Sequence, residues 1–189
     1  MLFAHDTEVS LVSTAALINT LPGASASGDD ELSTQEQLVA FLDRVEFTGS
    51  RTGDAAELQE MRALRARLRE LWTRDEGGVV ELVNEFLREA RAMPQLVKHD
   101  HWDWHVHATQ PSAPVAQRVQ VETAMALIDI VRAKELERLH ECAADDCTAV
   151  VVDLSRNRSK RYCDVGNCGN RMHVAAYRAR RRGGIPPTA

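Results

Sequence analysis

No apolar run in the 189-residue chain reaches the roughly 18 to 20 residues that a membrane-spanning helix requires, which excludes an integral helical membrane protein. The opening Met1-Leu2-Phe3-Ala4-His5-Asp6 has no basic n-region, so no secretory signal is expected and the cytoplasm is the expected compartment. Four cysteines are too few for a disulfide scaffold, and a chain of this length needs none. There is no Gly-rich phosphate loop, no nucleophile elbow and no pair of carboxylates at a telling spacing. With no legible catalytic constellation, the chain is expected not to be an enzyme. Internal repeats and low-complexity segments are lacking too. What remains is ordinary globular composition, 44% hydrophobic and 27% charged, with room for one large domain or a medium one with a small appendage.

A formal net charge of −5 conceals a division. From Leu154 onward there are nine basic residues and one acid, Asp164, leaving that segment at +8. The preceding 153 residues carry 14 basic and 27 acidic side chains, or −13. All four cysteines lie in or just before the basic segment. An acidic body joined to a basic module that meets an anionic surface is one reading; a basic tail docking on its own acidic body is the other.

The body reads as helical. Apolar residues recur at helical spacing from Glu8 to Leu21 and stop at Pro22-Gly23. Ser33-Thr34-Gln35-Glu36 is a capping-box signature for a helix carrying Leu38, Phe41, Leu42 and Val45 toward Gly49. Asp54 caps the next, which Gly77-Gly78 is expected to break, and Val79 to Met93 forms another. Between Gln95 and Ala108 the period becomes two, which predicts a short hairpin with Trp102, Trp104 and Val106 on its buried face. A long helix is expected from about Ala113 to Leu139.

The cysteines are the strong chemical signal. Cys142 and Cys147 are separated by four residues, as are Cys163 and Cys168, with 15 residues between the pairs. Two short-spaced pairs bridged by a hairpin-sized insert is the usual spelling of a four-thiolate zinc site. The insert is expected to run as a strand from Thr148 to Asp153, a turn at Ser155–Ser159 and a return through Lys160-Arg161-Tyr162. A helix from Arg171 to about Arg182 then follows, with Met172, Ala175, Ala176 and Ala179 packing on the hairpin. This is a treble-clef-like order, and four thiolates leave no open coordination position, so one Zn2+ is expected to be structural. Two disulfides or four free thiols are the alternatives. Arg156, Asn157, Arg158, Lys160 and Arg161 in the turn, with Asn170, Arg171, Arg178, Arg180, Arg181 and Arg182 on the helix, are the candidate nucleic-acid contacts. Arg161 and Arg171 can instead offset the charge of the thiolate cluster.

These residues resemble the CGNR zinc-finger proteins. The motif is Cys168-Gly169-Asn170-Arg171, preceded by Asp153-Leu154-Ser155-Arg156-Asn157-Arg158 and led into by Leu136 to Cys142. In that family the finger follows an N-terminal domain called ABATE, whose opening signature is similar to Leu17-Ile18-Asn19-Thr20-Leu21. The resemblance implies largely bacterial, stress-induced transcription regulators, with zinc on the four cysteines and DNA on the finger. Tyr162 stands where the family often has Trp, and Met172-His173 replaces a small-basic pair. Ser13-Thr14-Ala15-Ala16 lacks an acid of the opening signature.

The expected architecture is therefore a mainly α N-terminal domain with a small β-hairpin (residues 1–139), a four-cysteine finger (140–182) and a flexible tail (183–189). The expected function is a cytoplasmic regulator that binds double-stranded DNA through the finger, its N-terminal half sensing a small-molecule effector or forming a homodimer. A protein–protein adaptor whose basic module docks on an acidic partner is the second reading. An enzyme housed in the N-terminal half is the third. Asn19, His101, His105 and His107 are candidates for a ligand-contacting or pH-sensing surface, the histidines alternating along one strand.

Overall fold

A computed structural model describes residues 2–98 and 103–183. Four helices come first: α1 (His5–Ile18), α2 (Gln35–Arg44), α3 (Ala55–Glu70) and α4 (Glu76–Glu89). The strands β1 (Gln95–Val97) and β2 (His105–His107) form an antiparallel hairpin, and α5 (Val115–Arg132) follows. A short 3-10 turn (Leu136–Arg138) leads into β3 (Leu139–Glu141), which pairs antiparallel with β4 (Val150–Val152). The last element among the described residues is α6 (Cys168–Gly183). The expected fold class holds: a mainly α body with a small hairpin, then a small four-cysteine module.

Local signals place the helix ends. Thr34, extended at φ −126°, accepts from the Gln37 amide, and the Gln37 side chain accepts from the Thr34 amide. The capping box is thus one residue later than Ser33/Glu36, because Gln serves as well as Glu at its third position. Asp54 caps α3, as expected, and Asp75 caps α4 through the Gly78 amide at 2.9 Å. Gly77 and Gly78 therefore lie inside the first turn of α4, and the break falls earlier, at Leu71–Asp75. Helix α5 stops at Arg132 rather than Leu139. There Lys134 adopts φ 57° and the Glu135 amide reaches back to the Ile130 carbonyl, a left-handed closure that is usually written with glycine.

Helix α1 packs on α5, α3 and β4, and α5 also packs on α3 and α4. Leu11, Ile18, Leu38, Met61, Leu68, Phe86, Leu127 and Ile130 fill the centre of this bundle. Alternation along β4 closes two cores at once. Val150 and Val152 face the bundle, while Ala149 and Val151 face the cysteines together with Ala24 and Ala144. Burying a strand on both faces explains why three consecutive valines stand there.

Three expectations change. The partner of β4 is the segment before Cys142, not the return through Lys160–Tyr162, because the Cys142–Cys147 reversal is itself the turn of the hairpin. Trp104 is exposed, whereas His105, Val106 and His107 are all half-buried and all line a cavity beside α1 and α5. Trp102 and His101 lie outside the described residues. Finally, Ala175, Ala176 and Ala179 are exposed; after Met172, no described side chain of α6 is buried. The alanine stripe presents too little area to hold the helix down, and α6 projects from the body.

Candidate metal centre and cationic lobe

Two chain reversals converge on one point. In the first, the Cys142 amide donates to Ala149 O (2.8 Å) and the Cys147 amide to Ala144 O (3.1 Å). In the second, Asn167 turns the chain at φ 51° and its carbonyl accepts from the Arg171 amide (3.1 Å), which starts α6 directly at Cys168. All four sulfurs lie within 4.8 Å of one another, with Cys147–Cys163 at 3.7 Å and Cys163–Cys168 at 3.6 Å. Tetrahedral zinc with bonds of about 2.3 Å spaces its sulfurs by about 3.8 Å. A disulfide needs about 2.05 Å. None of the four cysteines is in a disulfide, and their spacing fits one tetrahedral Zn2+ with no position left for substrate or water. The zinc is structural.

The surroundings answer the charge of four thiolates. Arg171 donates to Cys168 Sγ (3.1 Å), to Gly166 O (3.2 Å) and through both terminal nitrogens to Asp146 (2.5 and 3.1 Å). The Cys163 amide donates to Cys142 Sγ (3.4 Å). Burial, with a smaller contribution from the neighbouring cysteines, pushes the Cys147 and Cys163 thiols up, so loading with metal displaces protons. At Cys168 burial acts the same way, but the Arg171 guanidinium and hydrogen bonds from the three neighbouring cysteines together outweigh it and hold the thiol below its usual range. In Cys-Gly-Asn-Arg, then, the cysteine is a ligand and the arginine its counter-charge. Asn170 braces the second reversal by donating to Asn167 Oδ1 (2.7 Å).

A buried arginine and a buried aspartate shape the basic loop. Arg138, 4% exposed, donates to the carbonyls of Asp153 and Ser155 (both 2.9 Å) and to Glu135 (2.7 Å). Asp153 accepts from the Ser155 and Lys160 amides (2.8 and 3.0 Å). These bonds fix the base of the loop and leave Arg156 and Asn157 exposed at its tip. Some of the expected DNA contacts are engaged within the protein: Arg158 by Glu135 (2.9 Å) and Glu137, Lys160 by Asp164 (2.7 Å), and Arg171 by Asp146. Arg156, Arg161, Arg178 and Arg180 are exposed and have no ion-pair partner among the described residues. Arg181 lies over the Tyr177 ring, 5.8 Å from its centre. Arg182 belongs to α6.

The N-terminal candidates separate. Asn19, 7% exposed, spends its whole amide on β4: Nδ2 donates to Val150 O (2.9 Å) and Oδ1 accepts from Val150 N–H (2.7 Å). Those two groups point away from β3, so the side chain acts as one residue of a missing third strand. Trp72 Nε1 adds a bond to Val151 O (3.0 Å) and Arg69 one to Thr148 O (2.8 Å). His105 and His107 do line a cavity, with 2.9 Å between their Nε2 atoms. Glu122, on its far wall, escapes a search by motif. It falls on the inward stripe of α5 between Val119 and Ala126, and an acid on a core-facing stripe is the signal that could have found it.

Residues 13–134, well over half of the chain, match the ABATE family, whose description is "Putative stress-induced transcription regulator". Residues 138–181 match the CGNR zinc finger family. No curated protein matches the chain.

Proposed function

The chain belongs to the ABATE family and carries a CGNR zinc finger, and from that premise we propose that it is a regulator that binds double-stranded DNA through its zinc lobe. The observation that carries this reading is the set of exposed arginines without carboxylate partners, Arg156 and Arg161 around the loop, Arg178 and Arg180 on α6. Zinc and the Arg138–Asp153 scaffold hold both elements in one small module. A lone projecting helix about 24 Å long suits the major groove, whose width of about 12 Å admits one. Arg158, Lys160 and Arg171 contribute less, their charge being partly answered. In this reading residues 1–139 are the sensing or dimerising half, 140–182 the binding half, and the chain works in the cytoplasm without enzymatic activity. No helix among the described residues is long and apolar enough to cross a membrane.

Fluorescence anisotropy on the zinc-loaded full chain with random duplex tests it. Four neutralised phosphates give a log K against log salt slope of about −3.6. Replacing Arg156, Arg161, Arg178 and Arg180 with alanine flattens that slope to less than half. Absence of salt-sensitive binding, or a quadruple variant that binds as the parent does, overturns the proposal. A second reading has one observation in its favour: Val174 and Tyr177 are 47% and 54% exposed on α6, which would suit docking on an acidic protein. It requires a partner retained after nuclease treatment.

A further inference from the structure

The cavity beneath the β1–β2 hairpin has a chemistry that neither family description assigns. It holds about 100 Å3 and is partly open to solvent. For scale, a dry protein cavity of about 150 Å3 accepts benzene. Its walls include Val9, Leu17, Leu42, Val45 and Val119. Among the charged residues lining it are three carboxylates, Asp6, Glu46 and Glu122, and none of its described lining residues is Lys or Arg. A free carboxylic acid or phosphate is therefore a poor occupant, and an apolar body is a good one.

Polar groups around the cavity are largely spent. The Thr14 and Thr123 hydroxyls lie 2.7 Å apart, so that one donates to the other and the other donates to its own helix carbonyl, Ser10 O or Val119 O. His105 and His107 are joined through their Nε2 atoms, and Asp6 accepts from the Val106 amide (3.4 Å) and the Thr7 amide (3.0 Å). Glu122 differs. No hydrogen bond or ion pair reaches its carboxylate among the described residues, and the surface it keeps lines the cavity. Arg118, one turn earlier on α5, attracts it only from a distance, its guanidinium being committed to the carbonyls of Ala113, Thr48 and Ser50. Glu122 is half-buried, and a carboxylate at a cavity wall with no protein donor is a ready partner for a cation that enters.

We propose that this cavity binds a small organic amine, an ammonium on a compact apolar body, with Glu122 as its counter-charge. The proposal rests on reading the N-terminal half as the sensing half, since it supplies the effector class. Helix α1 lines the cavity from Asp6 to Leu17, and Asn19, just beyond its end, grips β4 of the zinc lobe. An occupant that pulls on α1 therefore acts on the element that seats the finger.

The test is calorimetric and NMR titration of the zinc-loaded full chain with propylamine, 1-propanol and propionate, three probes smaller than benzene and different in charge. Propylamine should bind at least tenfold more tightly than either of the others and shift the resonances of cavity-lining residues of α1 and α5. Glu122→Gln, which removes the charge and keeps the shape, should abolish that preference. Equal binding of the three probes, preference for propionate, no binding at all, or a preference that survives in Glu122→Gln overturns the proposal. Duplex affinity measured with and without propylamine separates the two claims. An unchanged DNA affinity beside confirmed amine binding defeats the sensing role and leaves the site standing.

Discussion

Replacing Asn19 with alanine removes the clamp between the helical body and the zinc lobe. Val150, 2% exposed, would keep a buried N–H and a buried C=O facing the space the amide had filled. Each buried backbone group left without a partner costs about 1–3 kcal/mol. With some relaxation and water entry the pair should cost about 3 kcal/mol. For a chain of this size that corresponds to a fall in Tm of about 6–12 °C. Urea unfolding of the zinc-loaded protein, with the slope checked for constancy, reads the free energy directly. Asn19→Asp sharpens the test. It retains an acceptor for the Val150 amide but sets an anionic oxygen against the Val150 carbonyl, so at pH 7 it should cost at least as much as alanine. Zinc content should stay at one ion per chain in both variants, because Asn19 touches no ligand. Losses below about 1 kcal/mol in both would refute the reasoning.

Other consequences follow from buried charges and the metal. Asp30 is held down to about 2 by paired hydrogen bonds from Arg65 (2.7 and 2.8 Å). Its folded value lies below its unfolded value, so the stabilisation is present above pH 4 and fades as pH falls toward 2. Asp30→Asn should cost about 2–4 kcal/mol at pH 7, and the gap to the parent in acid-titrated unfolding should close over that window. Glu122 has the opposite sign, burial pushing it up to about 7. Ionising it inside the fold destabilises as pH rises from about 4.5 to 7, and Glu122→Gln should be more stable than the parent above pH 7 by up to about 3 kcal/mol. A thermal-melt series from pH 4 to 8 in which the two proteins run in parallel would contradict this. Cys163→Ser should reduce zinc retention and leave the α-helical signal of the body largely intact, as read by metal analysis and far-ultraviolet circular dichroism; full zinc retention would contradict the four-thiolate assignment.

Much of the molecule could be read from residue spacing because the relevant physics is local. Apolar periodicity found the bundle helices and Asp54 announced its cap. Paired cysteines at fixed separations implied a site whose sulfurs the fold does bring within 4.8 Å. What escaped depends on distant partners. Lys134 ends α5 in a conformation that glycine usually marks, so the sequence carries no stop signal there. The strand run at Val150–Val152 was visible, but its pairing with Leu139–Glu141 was not, since the intervening cysteine reversal looked like a metal knuckle and proved to be a hairpin turn as well. Asn19 suggested a pocket, whereas its partner lies 131 residues away. The alternation expected at Trp104–Val106 did not carry into burial: Trp104 is exposed, and His105, Val106 and His107 are all half-buried against one cavity, which a pattern of residue types cannot foresee. Glu122 was passed over because a lone acid on a helix reads as solvated.

One titration bears most directly on the view that a single zinc orders an arginine-bearing lobe against DNA. The protein is taken through zinc-loaded, chelated and zinc-restored forms while duplex affinity is followed at fixed salt. Affinity should collapse on chelation and return with one equivalent of zinc, since the lobe has too little apolar core to stay folded alone. Affinity that is indifferent to the metal would contradict it.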